Sequence, residues 1–455
     1  MTPFSSLELA LAWLDGHTDL ESKVPNRRSL PTLERIRELM RMLGEPERAY
    51  PAIHLTGTNG KGSTAAMATA LLAARGLSVG TYTSPNLSKV NERISRSGSP
   101  IDDASLLEVL GALALIEPSL SDRPTRFELL TAAAFAWFAD VAVDAAVVEV
   151  GVGGTWDATN VIDGVVAVLT NVSYDHTDVL GPTLEGIARD KAGIVKPGSV
   201  AVVGEEDPVL VATVRSVAEA AGASQVWVRG EEFDCTSNQL AVGGRLVDLR
   251  TPGGFYHEVA VPLHGEHQGL NAACALAAVE AFFGAPLDPD VVAEGFSTVR
   301  VPGRLEVVGR KPLCLLDGAH NVAGMQALAA AIGDFSVPGE TVAVVGMLTG
   351  RDPSAMLAPL ASAGVRRVVA CAPKSPRAQP AGAVADAARA AGMDALVAGT
   401  VGEAVALARD VAGGDGLVLI SGSLYVVAEA RSLLVGGQVT LPPGADPGPG
   451  RVHRS

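Results

Sequence analysis

The chain has 455 residues, 48% of them hydrophobic and 19% charged, with a formal net charge of −15. That length exceeds what one core usually holds, so two domains are expected. The acidic balance argues against a nucleic-acid or anionic-membrane partner, since both need a positive field.

Taken in chain order, Met1–Gly16 carries Glu8 and no early Lys or Arg, so no signal peptide is expected. From residue 52 short β-branched runs alternate with Ala/Leu-rich stretches, the pattern of a mostly parallel sheet covered by helices. Strands are predicted at Ala52–Leu55, Ser78–Thr83, Ala145–Val150, Val165–Asn171 and Val200–Val203. The apolar region 132–152 is interrupted by Asp140, Asp144 and Glu149, which excludes a membrane span there. Residues 230–263 change to polar turns and alternating segments, predicting a small antiparallel insertion. Helix resumes at Asn271–Val279, and Val301-Pro302-Gly303 reads as a hinge. A second α/β series follows, with strands at Pro312–Leu316, Val342–Val345, Arg367–Ala370, Ala395–Val397 and Gly416–Ile420. It lacks G-x-G-x-x-G, so no dinucleotide site is assigned to it. The expected architecture is therefore α/β: an N-terminal P-loop ATPase domain (1–298) with a mostly parallel sheet and an antiparallel insertion, a C-terminal Rossmann-like domain (304–436), and a disordered tail (437–455). Cys235, Cys274, Cys314 and Cys371 form no C-x-x-C pair and read as reduced packing residues of a cytoplasmic protein.

The first strand runs into Gly57-Thr58-Asn59-Gly60-Lys61-Gly62-Ser63-Thr64 and then a helix. Glycines let the backbone aim several N–H groups at one anion, and the helix start adds its positive dipole end. Lys61 supplies a mobile cation and Ser63 or Thr64 a hydroxyl for Mg²⁺. The run is shorter than the common G-x-x-x-x-G-K-[ST] pattern, so it predicts nucleotide binding without fixing the reaction. Glu149 ends the apolar run Ala145-Ala146-Val147-Val148 of the same predicted sheet, at the carboxyl edge where α/β ligands bind, and suits a Mg²⁺ ligand. His176 lands on that edge too, although Mg²⁺ prefers oxygen and a histidine ligand is unusual. From the residues alone, Lys191 reads as a solvated helix lysine.

Thr81-Tyr82-Thr83-Ser84-Pro85, Val90-Asn91-Glu92-Arg93-Ile94, Asp157-Ala158-Thr159-Asn160-Val161, Asp175-His176-Thr177 and Lys191-Ala192-Gly193-Ile194-Val195-Lys196-Pro197-Gly198 resemble segments of the folylpolyglutamate synthase/dihydrofolate synthase family, within the Mur ligase superfamily. The resemblance continues through His267-Gln268-Gly269-Leu270-Asn271, Gly303-Arg304-Leu305-Glu306, Asp317-Gly318-Ala319-His320-Asn321 and Gly422-Ser423-Leu424-Tyr425, spanning roughly residues 30 to 430 in order. It implies an ATP- and Mg²⁺-dependent carboxylate–amine ligase that adds L-glutamate to dihydropteroate or a reduced folate through an acyl phosphate. By the same resemblance, Gly60–Ser63 would hold the ATP phosphates, and Ser84, Glu149 and His176 the metal. Lys191 would carry a carbamate that helps organise the metal site. Arg304, Asp317, His320 and Asn271 would complete the nucleotide site. Lys61, His176, Lys191 and Arg304 are the expected catalytic groups. Thr125, Phe127, Glu128, Asp157 and Ala158 match segments that touch the pterin-bearing acid, and family behaviour implies a monomer.

Three positions depart from the family pattern. Thr155 and Asn86 stand where an arginine and a histidine are common, and Arg351 replaces a lysine while keeping its charge. Two rival readings carry less. A Mur-type ligase acting on a UDP-muramoyl substrate is weakened by the folate-type Gly-Lys-Gly-Ser loop and by the lack of an evident UDP-binding domain before residue 50. A non-catalytic ATP-dependent binding protein has little need for a complete metal set.

Overall fold

The computed structural model describes residues 3–19 and 32–435; the tail expected at 437–455 lies outside the described residues. Its first sheet has eight strands: β1 (Ala52–Thr56), β2 (Val79–Tyr82), β3 (Ile94–Arg96), β4 (Ser99–Pro100), β5 (Ala145–Glu149), β6 (Val166–Leu169), β7 (Val200–Val203) and β8 (Gln225–Val228). They are ordered β4-β3-β2-β5-β1-β6-β7-β8. The six from β2 to β8 in that order run parallel, and β3 and β4 fold back antiparallel at one edge. β1 and β5 are buried throughout, as parallel strands covered on both faces must be, and hence read as unbroken apolar runs. The chain leaves β1 toward β2 on one side, while β6 to β8 build out on the other. The carboxyl end of β1 is therefore the crevice where strand order reverses and ligands bind.

The antiparallel insertion is a three-stranded sheet of β9 (Asp234–Ala241), β10 (Gly244–Thr251) and β11 (Gly254–Val261). Its Val247, Leu249, Tyr256 and Val259 share one apolar cluster with Leu71 and Leu72 of helix Lys61–Ala74 and with Ala272–Val279 of helix His267–Phe283. The insertion thus closes the core beneath the phosphate loop.

The second sheet holds β12 (Glu306–Arg310), β13 (Leu313–Leu316), β14 (Thr341–Val345), β15 (Arg367–Ala370), β16 (Asp394–Val397) and β17 (Leu417–Ser421), in the order β12-β13-β17-β14-β15-β16. All neighbours are parallel except the β12–β13 pair. Helices on its two faces bury separate apolar clusters, one around Leu315, Met325 and Leu357 and one around Val344, Val405 and Val427. Among the described residues, no helix is long and apolar enough to cross a membrane.

Candidate active site

The phosphate loop is built by backbone geometry that side chains would forbid. Gly57 has φ 147°, and a Cβ there would lie 1.8 Å from Thr170 Oγ1; Gly60 has φ 83°, and a Cβ there would lie 2.4 Å from Asn271 Oδ1. Asn171, just past β6, holds the loop's midpoint from both sides. Its Oδ1 accepts from Asn59 N–H at 3.0 Å and its Nδ2 donates to Asn59 O at 2.9 Å. Thr170 Oγ1 donates to that same carbonyl at 2.7 Å, and Thr58 N–H donates to Asn171 O at 2.9 Å. The loop is pinned before any ligand arrives, so phosphate binding need not first order it. Lys61 opens the helix, and its Nζ donates to Gly57 O at 3.1 Å and Thr58 O at 3.4 Å.

Glu149 sits at the carboxyl end of β5, paired in register with Leu55 of β1. It is only 4% exposed, and among the described residues its carboxylate accepts one hydrogen bond, from Ser84 N–H at 3.2 Å. Burial raises its pKa, while Lys61 opposes the rise. His176 follows the loop after β6 in a left-handed conformation, φ 49°, with 42% of its side chain exposed. Desolvation on its protein-facing side, against the pull of Asp175 and with Arg351 assisting, lowers its pKa to about 4. It therefore keeps a free lone pair at neutral pH. A buried, under-bonded carboxylate, a serine beside it and a neutral imidazole fit a divalent cation. No three His, Cys, Asp or Glu side chains among the described residues form a metal cage. The remaining ligands would be phosphate oxygens and water, the usual Mg²⁺ arrangement.

Lys191 corrects the reading from residues alone. It is 4% exposed, on helix Leu184–Ala192, and its Nζ donates to Gly57 O at 2.8 Å. Burial and the neighbouring Lys61 lower its pKa to about 7. The helix is carried there by Gly154, whose Cβ would lie 2.6 Å from Lys191 O. Thr155, in the position of an expected arginine, completes that seam: its N–H and Oγ1 donate to Asp190 O at 3.0 and 2.9 Å.

The second lobe brings Arg304, Asp317, His320, Asn321 and Arg351 to the same mouth. Arg304 follows the hinge glycine, and its Nη1 occupies the space a Cβ on Gly318 would need, 2.3 Å away. Asp317 turns inward, accepting from Leu305 N–H at 3.0 Å and Ala319 N–H at 2.9 Å, so it shapes the loop carrying Arg304. His320 Nδ1 meets Gly318 O at 2.8 Å and its Nε2 lies 3.6 Å from Asp175. Arg351 forms an ion pair with Asp175. Burial works to raise the Asp175 carboxyl, but His320, His176 and Arg351 outweigh it and hold it far below the usual carboxylate range. Asn271 reaches the loop from helix His267–Phe283, with its Nδ2 donating to Gln268 at 3.0 Å. Asn171, Asp175 and Asn321 were not singled out as site residues in the sequence. The local signal that could have found them is their place on loops directly after β6 and β13.

The segments matched to acid binding have structural duties. Thr125 caps helix Arg126–Asp140 and Glu128 completes a capping box, accepting from Thr125 N–H at 2.6 Å and from Arg35 at 3.1 Å. Thr125→Ala is expected to cost about 1 kcal/mol in urea denaturation, the usual loss for an N-cap. Phe127 is half-buried beside Gly151, its ring 6.0 Å from that of Tyr82. Asp157 accepts from Val152 N–H and Thr159 N–H, both at 3.0 Å, and Ala158 is buried. Asn86, in place of a histidine, accepts from the buried Arg93 at 2.7 Å.

Residues 55–279 match the Mur ligase middle domain, and residues 303–424 the family described as Mur ligase, glutamate ligase domain. The chain is 44% identical over 369 residues to dihydrofolate synthase/folylpolyglutamate synthase of Mycobacterium tuberculosis, covering 75% of this chain and 74% of that one. A solved structure of M. tuberculosis folylpolyglutamate synthase complexed with ADP matches with TM-score 0.87 and 40% identity, over 96% of this chain and 99% of that one. A bifunctional folylpolyglutamate synthase/dihydrofolate synthase with Mn, AMPPNP and L-glutamate bound matches with TM-score 0.82 and 29% identity, over 96% and 100%.

Proposed function

The chain belongs to the folylpolyglutamate synthase/dihydrofolate synthase family of Mur ligases, and on that premise we propose that it joins L-glutamate to dihydropteroate, to reduced folates, or to both, at the expense of ATP. The observation that carries this reading is the convergence of a pinned phosphate loop, a buried carboxylate and a buried lysine from one lobe with three cationic or imidazole side chains from the other. The relatives it matches are folate-type ligases, which leaves the UDP-muramoyl and pure-binding readings without support.

A carboxylate resists amine attack because oxide is a very poor leaving group. Transfer of the γ-phosphoryl group of ATP to the acid oxygen releases ADP and gives an acyl phosphate. The α-amine of L-glutamate, neutral when it attacks, then adds to the carbonyl carbon, and phosphate departs as the amide forms and the nitrogen loses its proton. Ser84, Glu149 and His176 would hold a divalent ion, Mg²⁺ in this reading, which neutralises charge on the phosphate oxygens when bound. Loop amides from Gly60 to Ser63 cradle the phosphates, and Lys61 and Arg304 take up the charge that moves onto the transferred group. Lys191, as a carbamate, would place an anion beside the loop. Asp317, His320 and Asn271 frame the nucleotide, and Phe127 with the loop around Asp157 and Ala158 faces the acid. The division into domains 1–298 and 304–436 puts these groups on two bodies that close over the acyl phosphate and keep water from it. A cytoplasmic monomer completes the proposal.

The test is ADP release from protein, ATP, Mg²⁺ and bicarbonate, with dihydropteroate, tetrahydrofolate or a UDP-muramoyl acid, each with and without glutamate. Glutamate-dependent ADP formation with a pterin acid is expected, with ¹⁸O from the labelled carboxylate appearing in inorganic phosphate. Release indifferent to glutamate, or label that never reaches phosphate, overturns the assignment.

A further inference from the structure

Asn321, from the second lobe, bonds both the phosphate loop and the metal-edge loop. It caps helix Val322–Ile332, its Oδ1 accepting from Gly324 N–H at 2.8 Å. Across the lobes, its Nδ2 donates to Asp175 Oδ2 at 2.9 Å and to Asn59 Oδ1 at 3.0 Å, and its Oδ1 accepts from Asn59 Nδ2 at 3.3 Å. A carboxylate on one side and a helix N–H on the other fix which end of the amide is nitrogen. The side chain is 3% exposed, so these bonds form away from competing water. Each partner is itself held: Asn59 by Asn171 through its backbone, and Asp175 by Arg351. A shift of the second lobe by one bond length would leave a buried amide and a buried carboxylate short of partners, which costs more than the bonds themselves are worth.

We propose that Asn321 is a positioning residue that sets the docking of the second lobe on the phosphate loop, so that Arg304 and His320 reach the transferred phosphoryl group only when the Asn59–Asn321–Asp175 clasp is made. This rests on the ligase reading for its turnover consequence, but the docking itself needs no acid substrate.

Two variants test it. Asn321→Ser keeps a good N-cap but is too short to cross the lobe boundary. Asn321→Asp keeps cap and reach but loses both donors and faces the Asp175 carboxylate. Both are expected to melt near the wild type and to lose roughly 10- to 100-fold in kcat, as displacement of reacting groups by about 1 Å does, while AMPPNP affinity falls by a clearly smaller factor because the phosphate loop is untouched. In small-angle scattering, AMPPNP with Mg²⁺ should compact the wild type and leave both variants unchanged. Turnover within twofold of wild type, affinity falling in step with kcat, or wild-type compaction in either variant overturns the proposal. If instead no pterin acid supports turnover in the wild type, the ligase reading fails while the scattering still decides the clasp.

Discussion

Lys61→Ala is expected to lower kcat about a thousandfold, the scale for removing a principal charge donor to a transition state, with the melting temperature little changed. The side chain lies over its own loop, donating to Gly57 O and Thr58 O at 3.1 and 3.4 Å. Its loss leaves Gly57 O still bonded to Lys191 Nζ at 2.8 Å and otherwise removes only the longer, 3.4 Å bond to Thr58 O, a small cost to the fold. The loop's shape is set by glycines and Asn171, which the substitution does not touch. There is a second consequence. Lys61 is one of the groups that lower the Lys191 pKa, so its removal should raise that pKa and leave less neutral amine at pH 7. Glutamate-dependent ADP release and a thermal melt check the prediction together. Near-normal turnover in a folded variant would remove the phosphate role from Lys61.

The sheets were legible because strands buried on both faces carry unbroken β-branched runs: Ala145–Glu149, Val200–Val203 and Leu417–Ser421 fall within a residue or two of their predicted bounds. The edge strands β4, β8 and β12 were not, although the edge strand β16 was predicted at Ala395–Val397. Ser99–Pro100 and Gln225–Val228 are short and partly polar, and β12 antiparallel to β13 is a local reversal that no period announces. In the site, glycines, lysine and hydroxyl stood in one register, and Glu149 ended an apolar run, so both could be read locally. Lys191 could not, because its burial arises when helix Leu184–Ala192 lands on the loop at Gly154 and Thr155, more than thirty residues away. Asn321 and Asp175 are separated by 146 positions, and a side-chain pair at that distance leaves no periodic mark. At Thr125 and Glu128, the same spacing also marks a capping box, and the structure shows the helix start it builds.

Lys191→Ala and Lys191→Met are both expected to lose on the order of 100-fold in activity, the effect of removing a group that orients a metal site. The chemistry starts from the amine. A neutral amine adds to CO₂ to give a carbamate and a proton, whereas an ammonium cannot, and an ordinary lysine is almost wholly charged near pH 7. Burial and Lys61 bring this one to about 7, so a large fraction is neutral where the protein works. The sign for stability follows. A depressed folded-state pKa means that the unfolded chain binds more protons between about 7 and 10.5, so stability from this group rises with pH across that window and is lost as pH falls through about 7. Activity should follow the same direction, declining below that pH and declining further when bicarbonate is stripped from the buffer, with recovery on adding it back. Neither variant should respond to bicarbonate. Methionine preserves most of the buried volume, so a loss shared by both variants belongs to the amine rather than to packing. Formate should partly restore the alanine variant, where space is free for a small carboxylate, and leave the methionine variant unchanged. Wild-type activity indifferent to bicarbonate at every pH, alongside near-normal turnover in Lys191→Met, would reduce Lys191 to a buried hydrogen-bond donor for Gly57.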